Sequence, residues 1–472
     1  LLGAGADYYI PHRVDEGYGL NVEAVRQLAD GGTQLMITVD CGITAVEEVR
    51  LANELGMEVI VTDHHRPGPA LPEAVAIVHP SIDPDYPNPT SAGAMVAFKL
   101  AWGVANATKK GGQLSQELRQ YLLNATTLAG MGTIADVVDL RGENRVLVGY
   151  SLKALENSDL VGIRQLVQTA ELGTSEVDSY AVAFRLAPMI NAAGRMGHAR
   201  LAVELLTTDN EVRAIQIAQY LKEQNRLRQK CQQDIFKTAK QRIMQAGLNH
   251  PDRKTIVLAD DGWHPGVIGI VASKIIDMFY RPTIMLNTTN GLAQGSGRSI
   301  PGFNLHKALQ ACSQHLVSFG GHEMAAGLKI ETEKIPDFVA AFEAYAHENL
   351  EAETLESFLD IDAEAGICEF NERVMKELSY LEPFGQGNPK PVFAARGVKL
   401  IAPPRRVGAR NDHLQMSISD AGGAVRCIGF GMGSLEKKLL EADTFHVAFE
   451  PQYNTYNGQT NLQFVLNDIQ FE

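Results

Sequence analysis

The sequence is poor in cysteine and lacks both a long apolar run and a nucleotide-binding loop. Its five cysteines are scattered, and no two of them form a C-x-x-C pair. An odd, scattered set of cysteines argues against a disulfide framework and a zinc ribbon, and it favours a cytoplasmic location. No apolar run approaches the roughly 18 residues of a membrane span. The pattern G-x-x-x-x-G-K-[ST] does not occur, so no P-loop is expected.

Basic residues are also scarce relative to acidic ones, at 42 against 56, which gives a formal net charge of −14. The net charge therefore does not indicate nucleic-acid binding, and any path for DNA must be built from local basic patches. Residues 210–245 contain no Gly or Pro, and their apolar spacing predicts one helix of roughly 50 Å. Its second half is rich in Lys and Arg. Two interpretations stay open for that half, a solvated connector and one wall of a DNA channel.

Acidic and imidazole side chains follow two neighbouring predicted strands. Asp40 follows the apolar run 35–39, and Asp63-His64-His65 follows the run 57–61. The residues between them have helical spacing, which predicts a βαβ crossover whose strand ends share one rim. We therefore expect Asp40 and His64 to be neighbours, in a pattern suited to Mn²⁺ or Mg²⁺. Taken alone, Asp40 is also explained as a helix N-cap, and the histidines as a structural pair.

A third acid, Asp136, stands alone in the small and apolar stretch 132–138. A lone acid is rarely buried in such surroundings unless it is paired or bound to a metal. In this order, T-V-D-C-G, V-T-D-H-H and G-T-I-A-D-V resemble the motifs of the DHH phosphoesterase superfamily. Over its whole length the chain resembles the RecJ branch, the single-strand-specific exonucleases.

The resemblance implies a metal centre and an activity. Asp40, His64 and Asp136 would bind two divalent cations, Mn²⁺ or Mg²⁺, with Asp63 orienting a histidine and His65 facing the scissile phosphate or the other cation. The enzyme would release mononucleotides from the 5′ end of single-stranded DNA in DNA repair and recombination. The D-x-D motif that opens the family is absent before Asp40. We therefore expect it upstream of the first residue, and we expect the chain as given to lack full activity.

Further family motifs predict contacts with DNA. Ser91 is equally explained as a helix N-cap, and His264 as a capping or packing residue. For the segments 11–13 and 188–195 the alternative is a structural loop. The stretch 295–299 is predicted to be a Gly-rich turn that holds a phosphate. The candidates for DNA or phosphate contact are Arg13, Tyr18, Ser91, Asn191, Arg195, His264, Arg298, Ser299, Gly321 and His322. In the C-terminal region, a basic loop and exposed aromatics predict weaker contacts, although tyrosines on strands more often serve packing. These weaker candidates are Arg405, Arg406, Arg410, Tyr453 and Tyr456.

The predicted fold class is α/β, with four parts. A parallel-sheet DHH domain of alternating strands and helices, without its N-terminal strand, covers 1–205, and a long connecting helix covers 206–247. A smaller α/β DHH-associated domain covers 248–350, and an OB-type β-barrel that binds nucleic acid covers 355–472. Asn457-Gly458 predicts a two-residue hairpin in the barrel. L-E-P-F-G-Q-G-N-P at 381–389 resembles the RecJ stretch that leads into it.

The predicted partner is single-stranded DNA, with a helicase and a single-strand-binding protein as further partners, no membrane and a monomeric state. One rival is a phosphodiesterase for small molecules or short oligonucleotides, which would lack the long helix and the barrel. Another rival is a non-enzymatic scaffold of a replication complex, which would usually have lost the D-H-H motif that is intact here.

Overall fold

The structure is a computed structural model that describes residues 2–11, 16, 18–109, 111–172, 177–195, 199–289, 291–351, 353–456 and 458–471. The chain divides into two compact units. One unit comprises Leu1–Ala135 and Tyr150–Phe358, and the other comprises Asp136–Gly149 and Leu359–Glu472. The four-part division stays a prediction. Across the described ranges, no helix is both long and apolar enough to cross a lipid bilayer.

A three-stranded parallel sheet carries the first predicted motifs. Helix α1 (Val22–Asp30) precedes strand β1 (Leu35–Ile37), and helix α2 (Val46–Glu54) leads to β2 (Glu58–Thr62), with β3 (Ala76–Val78) alongside. Strands β1 and β2 pair in parallel with Met36 opposite Val59. The predicted βαβ crossover is therefore confirmed. Apolar residues from both strands and both helices pack into one core beneath it.

Helices replace the expected alternation after β3. Between 93 and 207, the residues that the structure describes form helices and no strand, which corrects the prediction of alternating elements to 205. Good helix formers such as Ala, Leu and Met dominate this stretch, and short apolar runs of this kind fit either element. The helices are α3 (Gly93–Ala107), α4 (Gln116–Ala135), α5 (Gly142–Glu156), α6 (Val161–Thr169), α7 (Ser179–Ala181), α8 (Ala187–Arg195) and α9 (Ala199–Thr207), with a π-helix at Val182–Leu186.

The predicted long helix is confirmed as α10 (Glu211–Gln245). Its N-cap Asn210 accepts a hydrogen bond from the backbone N–H of Arg213, and Gly247 follows its end with a φ of +63°. The centre of its buried stripe is polar, since the Arg228 guanidinium donates to Asn225 Oδ1 and Gln232 Oε1. Arg228 is therefore buried and does not belong to the exposed basic face.

The exposed basic residues of α10 fall into two groups. The residues of the first group, Arg213, Lys222, Arg226 and Arg242, each pair with an acidic side chain. Lys230, Lys237 and Lys240 are exposed, and no acidic partner is found for them within the described ranges. Among the described basic residues on the exposed face of α10, those of the second group are therefore the ones whose charge is available to bind DNA phosphates.

A second sheet follows α10. Its strands are β4 (Ile256–Asp260), β5 (Thr283–Thr289), β6 (Leu292–Arg298), β7 (Ser318–Gly321) and β8 (Ala325–Glu331), in the order β4-β5-β6-β8-β7. Helices α11 (Pro265–Phe279), α12 (Leu305–Ala311) and α13 (Ile335–Asn349) complete this part. The stretch predicted as a Gly-rich turn lies mostly in β6. At position 295 a Cβ atom would lie 2.5 Å from Leu286 Cδ2, so glycine serves the packing of the strand there.

The other unit contains a closed barrel. Five strands pair in the order β12 (His413–Ser419), β13 (Ala424–Gly429), β15 (Gln459–Phe471), β14 (Phe445–Tyr456) and β10 (Phe393–Leu400). Strand β10 pairs again with β12, which closes these strands into a barrel as in an OB fold. Strands β14 and β15 pair with Tyr456 opposite Gln459, which confirms the predicted hairpin, and the turn residue Asn457 lies outside the described residues. The elements are β9 (Ala363–Glu364), α14 (Glu372–Ser379), β10 (Phe393–Leu400), β11 (Arg405–Val407), β12 (His413–Ser419), β13 (Ala424–Gly429), α15 (Glu436–Glu441), β14 (Phe445–Tyr456) and β15 (Gln459–Phe471).

Candidate metal centre

Asp40 lies at the rim of the three-stranded sheet in an unusual backbone conformation. Its φ is +62°, in the left-handed region that Asp tolerates better than most residues. Its N–H donates to the carbonyl of Thr62 at 3.0 Å, and its own carbonyl accepts from the Tyr18 hydroxyl at 2.6 Å. Two hydrogen bonds therefore fix the backbone that aims the carboxylate.

Asp40, His64 and His65 form one cluster. Their candidate ligand atoms all lie within 4.8 Å of one another. Nε2 of His64 is 3.0 Å from Oδ1 of Asp40, which confirms the expected proximity of these two residues. Oδ1 of Asp40 is buried, and within the described ranges it accepts no hydrogen bond of acceptable geometry. A buried carboxylate oxygen in this state is costly, and a cation would relieve that cost. Carboxylate with imidazole is a donor set that fits Mn²⁺.

Asp63 is buried behind this cluster and acts as an anchor. Burial by itself raises its pKa, but hydrogen bonds from the His65 ring and from the backbone N–H groups of Ile43, His65 and His64 outweigh it and lower the pKa to about 2. An ionised Asp63 can only accept, so the ring proton of His65 lies on Nδ1, which is 2.7 Å from Asp63 Oδ1. In this tautomer, Nε2 is the ring nitrogen of His65 that has the lone pair needed to bind a metal ion.

The first residue of α3 approaches Asp40 closely. A Cβ atom at Gly93 would overlap Oδ1 of Asp40 and would lie 2.6 Å from its Cγ. The amino-terminal end of a helix favours negative charge, so this approach also stabilises the carboxylate. Ser91, which the sequence suggested for this loop, is buried and donates its hydroxyl to the carbonyl of Asn88. Gly93 is therefore the residue of this motif that touches the candidate site.

His79 is a site residue that the sequence analysis missed. Its Nδ1 accepts from the backbone N–H of Ser81, so its Nε2 carries the proton and donates to the carbonyl of His65 at 2.7 Å. His79 is 8% exposed and directly follows β3. A polar residue after a strand was the signal that identified Asp40 and His64, and the same signal was present here.

Comparisons with known proteins show which family the chain belongs to. The DHH family N-terminal domain matches residues 1–126, the DHHA1 domain matches 252–348, and the RecJ OB domain matches 361–468. The single-stranded-DNA-specific exonuclease RecJ of Haemophilus influenzae is 32% identical over 98% of this chain and 82% of its own length. The chain belongs to the RecJ family.

Two further RecJ proteins extend the comparison. RecJ of Bacillus subtilis is 38% identical over 99% of this chain, which covers 58% of that relative. The crystal structure of Thermus thermophilus RecJ in complex with Mn²⁺ matches with a TM-score of 0.83 at 33% identity, over 96% of this chain and 64% of that one. The chain thus spans about three fifths of these two relatives.

The other residues that the RecJ motifs predicted near the cluster differ in whether the structure places them against it. Besides its hydrogen bond to Asp40, Tyr18 places its ring 5.7 Å from that of His65 in an edge contact. Asp136 directly follows α4 and is exposed, and it lies outside the group of candidate ligand atoms formed by Asp40, His64 and His65. Arg13 lies outside the described residues. Tyr18, which was predicted to contact DNA, therefore lies beside the cluster of Asp40, His64 and His65.

The predicted residues around α11 form a separate set. His264 caps α11, since its Nδ1 accepts from the backbone N–H of Gly266 at 3.1 Å. Arg195, at the end of α8, donates from Nη1 to the carbonyl of Gly266 at 2.9 Å. The half-buried Arg298 donates to Ser296 Oγ and to a backbone carbonyl, and burial lowers its pKa. Arg298 has no carboxylate partner within the described ranges, so a substrate phosphate could serve as its counter-ion.

Of four other residues predicted to contact DNA, two are exposed and two have structural roles. Asn191 is exposed on α8, and His322 is exposed after β7. Ser299 is buried and donates its hydroxyl to the carbonyl of Phe303, which is a structural role. A Cβ atom at Gly321 would lie 2.5 Å from Ala326 Cα, so glycine permits close strand pairing there.

The barrel residues differ from one another in exposure and pairing. Arg405 and Arg406 lie on β11 rather than in a loop, because Arg405–Val407 pairs with β12. Arg406 pairs with Glu436 at 2.7 Å, whereas Arg405 and Arg410 are exposed. Tyr453 is 50% exposed on β14. Tyr456 ends that strand, and its side chain falls outside the described part of the chain.

Proposed function

We propose that the chain is the catalytic part of a metal-dependent exonuclease that hydrolyses single-stranded DNA from its 5′ end and releases mononucleotides. The observation that carries the proposal is the cluster of Asp40, His64 and His65, with a buried carboxylate oxygen directed into it. A divalent cation held there would supply Lewis-acid activation of a phosphodiester oxygen and would neutralise charge in the transition state. Membership of the RecJ family, whose relatives are single-stranded-DNA-specific exonucleases, supports the same proposal.

The chain's own residues have distinct roles in this proposal. Asp40 and His64 bind the cation through Oδ1 and Nε2. His65, held by Asp63 with its proton on Nδ1, directs Nε2 towards the cation or the scissile phosphate. Gly93 leaves room for the Asp40 carboxylate at the start of α3.

We propose Asp136 as a further ligand on the basis of its motif. A Cβ atom at Gly132, in the last turn of α4, would overlap Cβ of Ala94 in the first turn of α3. The residue before Ala94 is Gly93, which touches Asp40. Helix α4 ends at Ala135, and Asp136 is the next residue. The support for this proposal is the G-T-I-A-D-V motif and its resemblance to the family.

Single-stranded DNA is the proposed partner, held by phosphate contacts from Arg13, Arg195, Arg298 and His322. The long helix and the closed barrel, both present here, favour this substrate over the small molecules or short oligonucleotides of the rival phosphodiesterase. The intact D-H-H motif and its clustered geometry disfavour a scaffold without activity. The role in repair and recombination, the helicase and single-strand-binding partners, the monomeric state and the cytoplasmic location stay predictions.

The test measures Mn²⁺ binding by calorimetry and digestion of a 5′-labelled single strand. Asp40→Asn and His64→Gln should each weaken Mn²⁺ binding and abolish digestion, because each removes a ligand. His250→Gln is the control, since His250 is exposed and pairs only with Asp252 among the described residues. Unchanged digestion by both site variants would remove the cluster from the reaction.

A further inference from the structure

The motif at 381–389 forms a compact turn before the barrel. We call residues 380–388 the clamp segment. The side-chain amide of Asn388 donates to the carbonyl of Leu381 at 2.8 Å and to that of Pro383 at 2.9 Å. Gly385 and Asn388 also exchange two backbone hydrogen bonds. Four hydrogen bonds therefore fix the shape of the clamp segment from within.

The clamp segment contacts the chain a few residues after Asp136. The backbone N–H of Leu140 donates to the carbonyl of Gln386 at 2.7 Å. Nε of Arg141 donates to the carbonyl of Gly387 at 2.6 Å. The guanidinium of Arg145 donates to two further carbonyls of the segment, at 2.9 and 3.3 Å. Two arginines and one backbone amide thus bind residues 140–145 to the clamp segment.

Two glycines of the clamp segment make this contact close. Gly387 has a φ of +71°, and a Cβ atom there would lie 2.9 Å from Cγ and Oδ1 of Asp139. At Gly385 a Cβ atom would lie 2.7 Å from Cδ1 of Leu140, which is 2% exposed. A side chain at either position would displace the side chain of Asp139 or of Leu140. The Gly-x-Gly spacing of the motif therefore has a packing cause.

The turn between α4 and this contact is strained. Val137 has a φ of +58°, and a β-branched residue rarely adopts the left-handed region. Such strain persists only where the surroundings on both sides hold it in place, and it is concentrated at functional sites. Helix α4 ends just before this turn, at Ala135, and the contact with the clamp segment begins just after it, at Asp139. Asp136 lies within the held turn, beside the strained residue.

We propose that the clamp segment is a positioning element for Asp136, which it holds ready for metal binding through the strained turn at Val137. The inference rests on the proposed function, since that function makes Asp136 a ligand. It assigns a role to the L-E-P-F-G-Q-G-N-P motif that is separate from DNA binding by the barrel. A ligand whose backbone is fixed in advance needs no ordering when the cation binds, and loss of such support typically lowers metal affinity about 10- to 100-fold.

The experiment compares Mn²⁺ affinity, measured by calorimetry without DNA, in the full chain and its variants. Gly387→Ala and Arg145→Ala loosen the contact by different means. Gly397→Ala is the matched control, because Gly397 also has a positive φ, of +62°, but nothing lies within 4 Å of its Cβ position. Both clamp variants should lose about tenfold or more in Mn²⁺ affinity. Hydrogen exchange of residues 137–141 should become faster in both, and the control should match wild type.

A double-mutant cycle tests whether the effect passes through Asp136. In the Asp136→Ala background, Gly387→Ala and Arg145→Ala should lower Mn²⁺ affinity no further. Affinity within about twofold of wild type in both single variants, or an equal loss in the Asp136→Ala background, would overturn the inference. Asp40→Asn and His64→Gln, measured in the same way, separate the two claims. If they weaken Mn²⁺ binding while the clamp variants do not, the positioning role fails and the metal site of the proposed function stands.

Discussion

Gly93 and Asp40 are in such close contact that the space for a side chain at position 93 is already filled by the Asp40 carboxylate. Hydrogen bonds to Thr62 and Tyr18 hold the Asp40 backbone, so the carboxylate cannot retreat by moving its main chain. The two residues come from different secondary-structure elements, the loop after β1 and the start of α3. Their contact therefore couples helix packing to the geometry of the candidate metal centre.

This contact predicts the effect of Gly93→Ala. The added methyl group should displace the Asp40 carboxylate, lower Mn²⁺ affinity about tenfold or more and reduce digestion with it, while the fold is retained. Gly103→Ala is the control on the same helix, since nothing lies within 4 Å of its Cβ position. The control should keep Mn²⁺ affinity and gain about 0.5–1 kcal/mol of stability, because Ala favours a helix interior over Gly. Equal Mn²⁺ affinities in the two variants would contradict this account.

A second prediction concerns Asp136. Asp136→Ala should abolish digestion and leave binding of a long single strand nearly unchanged, since the loss of a ligand removes several kcal/mol of transition-state stabilisation. Asp30→Ala, which removes an exposed acid at the end of α1, serves as the control. The assignment fails if Asp136→Ala digests DNA within about tenfold of the wild-type rate.

The barrel arginines give a prediction that separates free from paired charge. Arg405→Ala and Arg410→Ala should each weaken single-strand binding and lower the salt dependence of log K by about 0.7, the value for one lost phosphate contact. Arg406→Ala should have a smaller effect, because Arg406 already pairs with Glu436. Fluorescence anisotropy at several salt concentrations measures both quantities. Identical salt slopes for all three variants and wild type would exclude this face of the barrel from the DNA path.

A fourth prediction uses the pH dependence of stability. Burial raises the pKa of Asp420, but hydrogen bonds from backbone N–H groups, first that of Ile367 and then those of Gly422 and Gly423, outweigh it and lower the pKa below 3.8. A carboxyl group whose pKa is depressed on folding contributes stability above its unfolded pKa, and this contribution is lost as pH falls towards the folded pKa.

Asp420→Asn should therefore lower the free energy of unfolding at pH 7, and the difference from wild type should shrink as the pH falls below about 3.8. Urea denaturation at pH 7, 5 and 3 measures this difference. A difference that stays constant from pH 7 to 3 would show that the charge of Asp420 contributes nothing to stability.

The sequence predicted the parts of the site that follow from local order along the chain. Asp40 and His64 were found because each follows a short apolar strand, and parallel strands end at one rim. His79 carries the same signal after β3, so its absence from the predicted set was an omission and not a limit of the sequence. Gly93 is different, because its importance comes from a contact with Asp40 that depends on how α3 packs.

Elements shaped by distant packing were harder to predict. Gly295 and Gly297 resemble a phosphate-binding turn in sequence, yet they lie on β6, where leucine side chains from other elements fill the space beside them. Arg228 resembles a member of the basic face of α10, yet its burial depends on what packs against the middle of the helix. A charge count along one helix does not reveal which side of it is covered.

Helix α10 imposes a constraint on how this chain can vary in length. Leu221 lies in the first apolar stretch of its buried stripe, and Ile235 begins the second. Each residue of an α-helix adds 1.5 Å and about 100° of rotation. A single insertion between these two positions would turn Ile235 and every later residue of the stripe away from its packing partners. Changes in length should therefore accumulate in the loops of this chain, while the number of residues between Leu221 and Ile235 stays fixed.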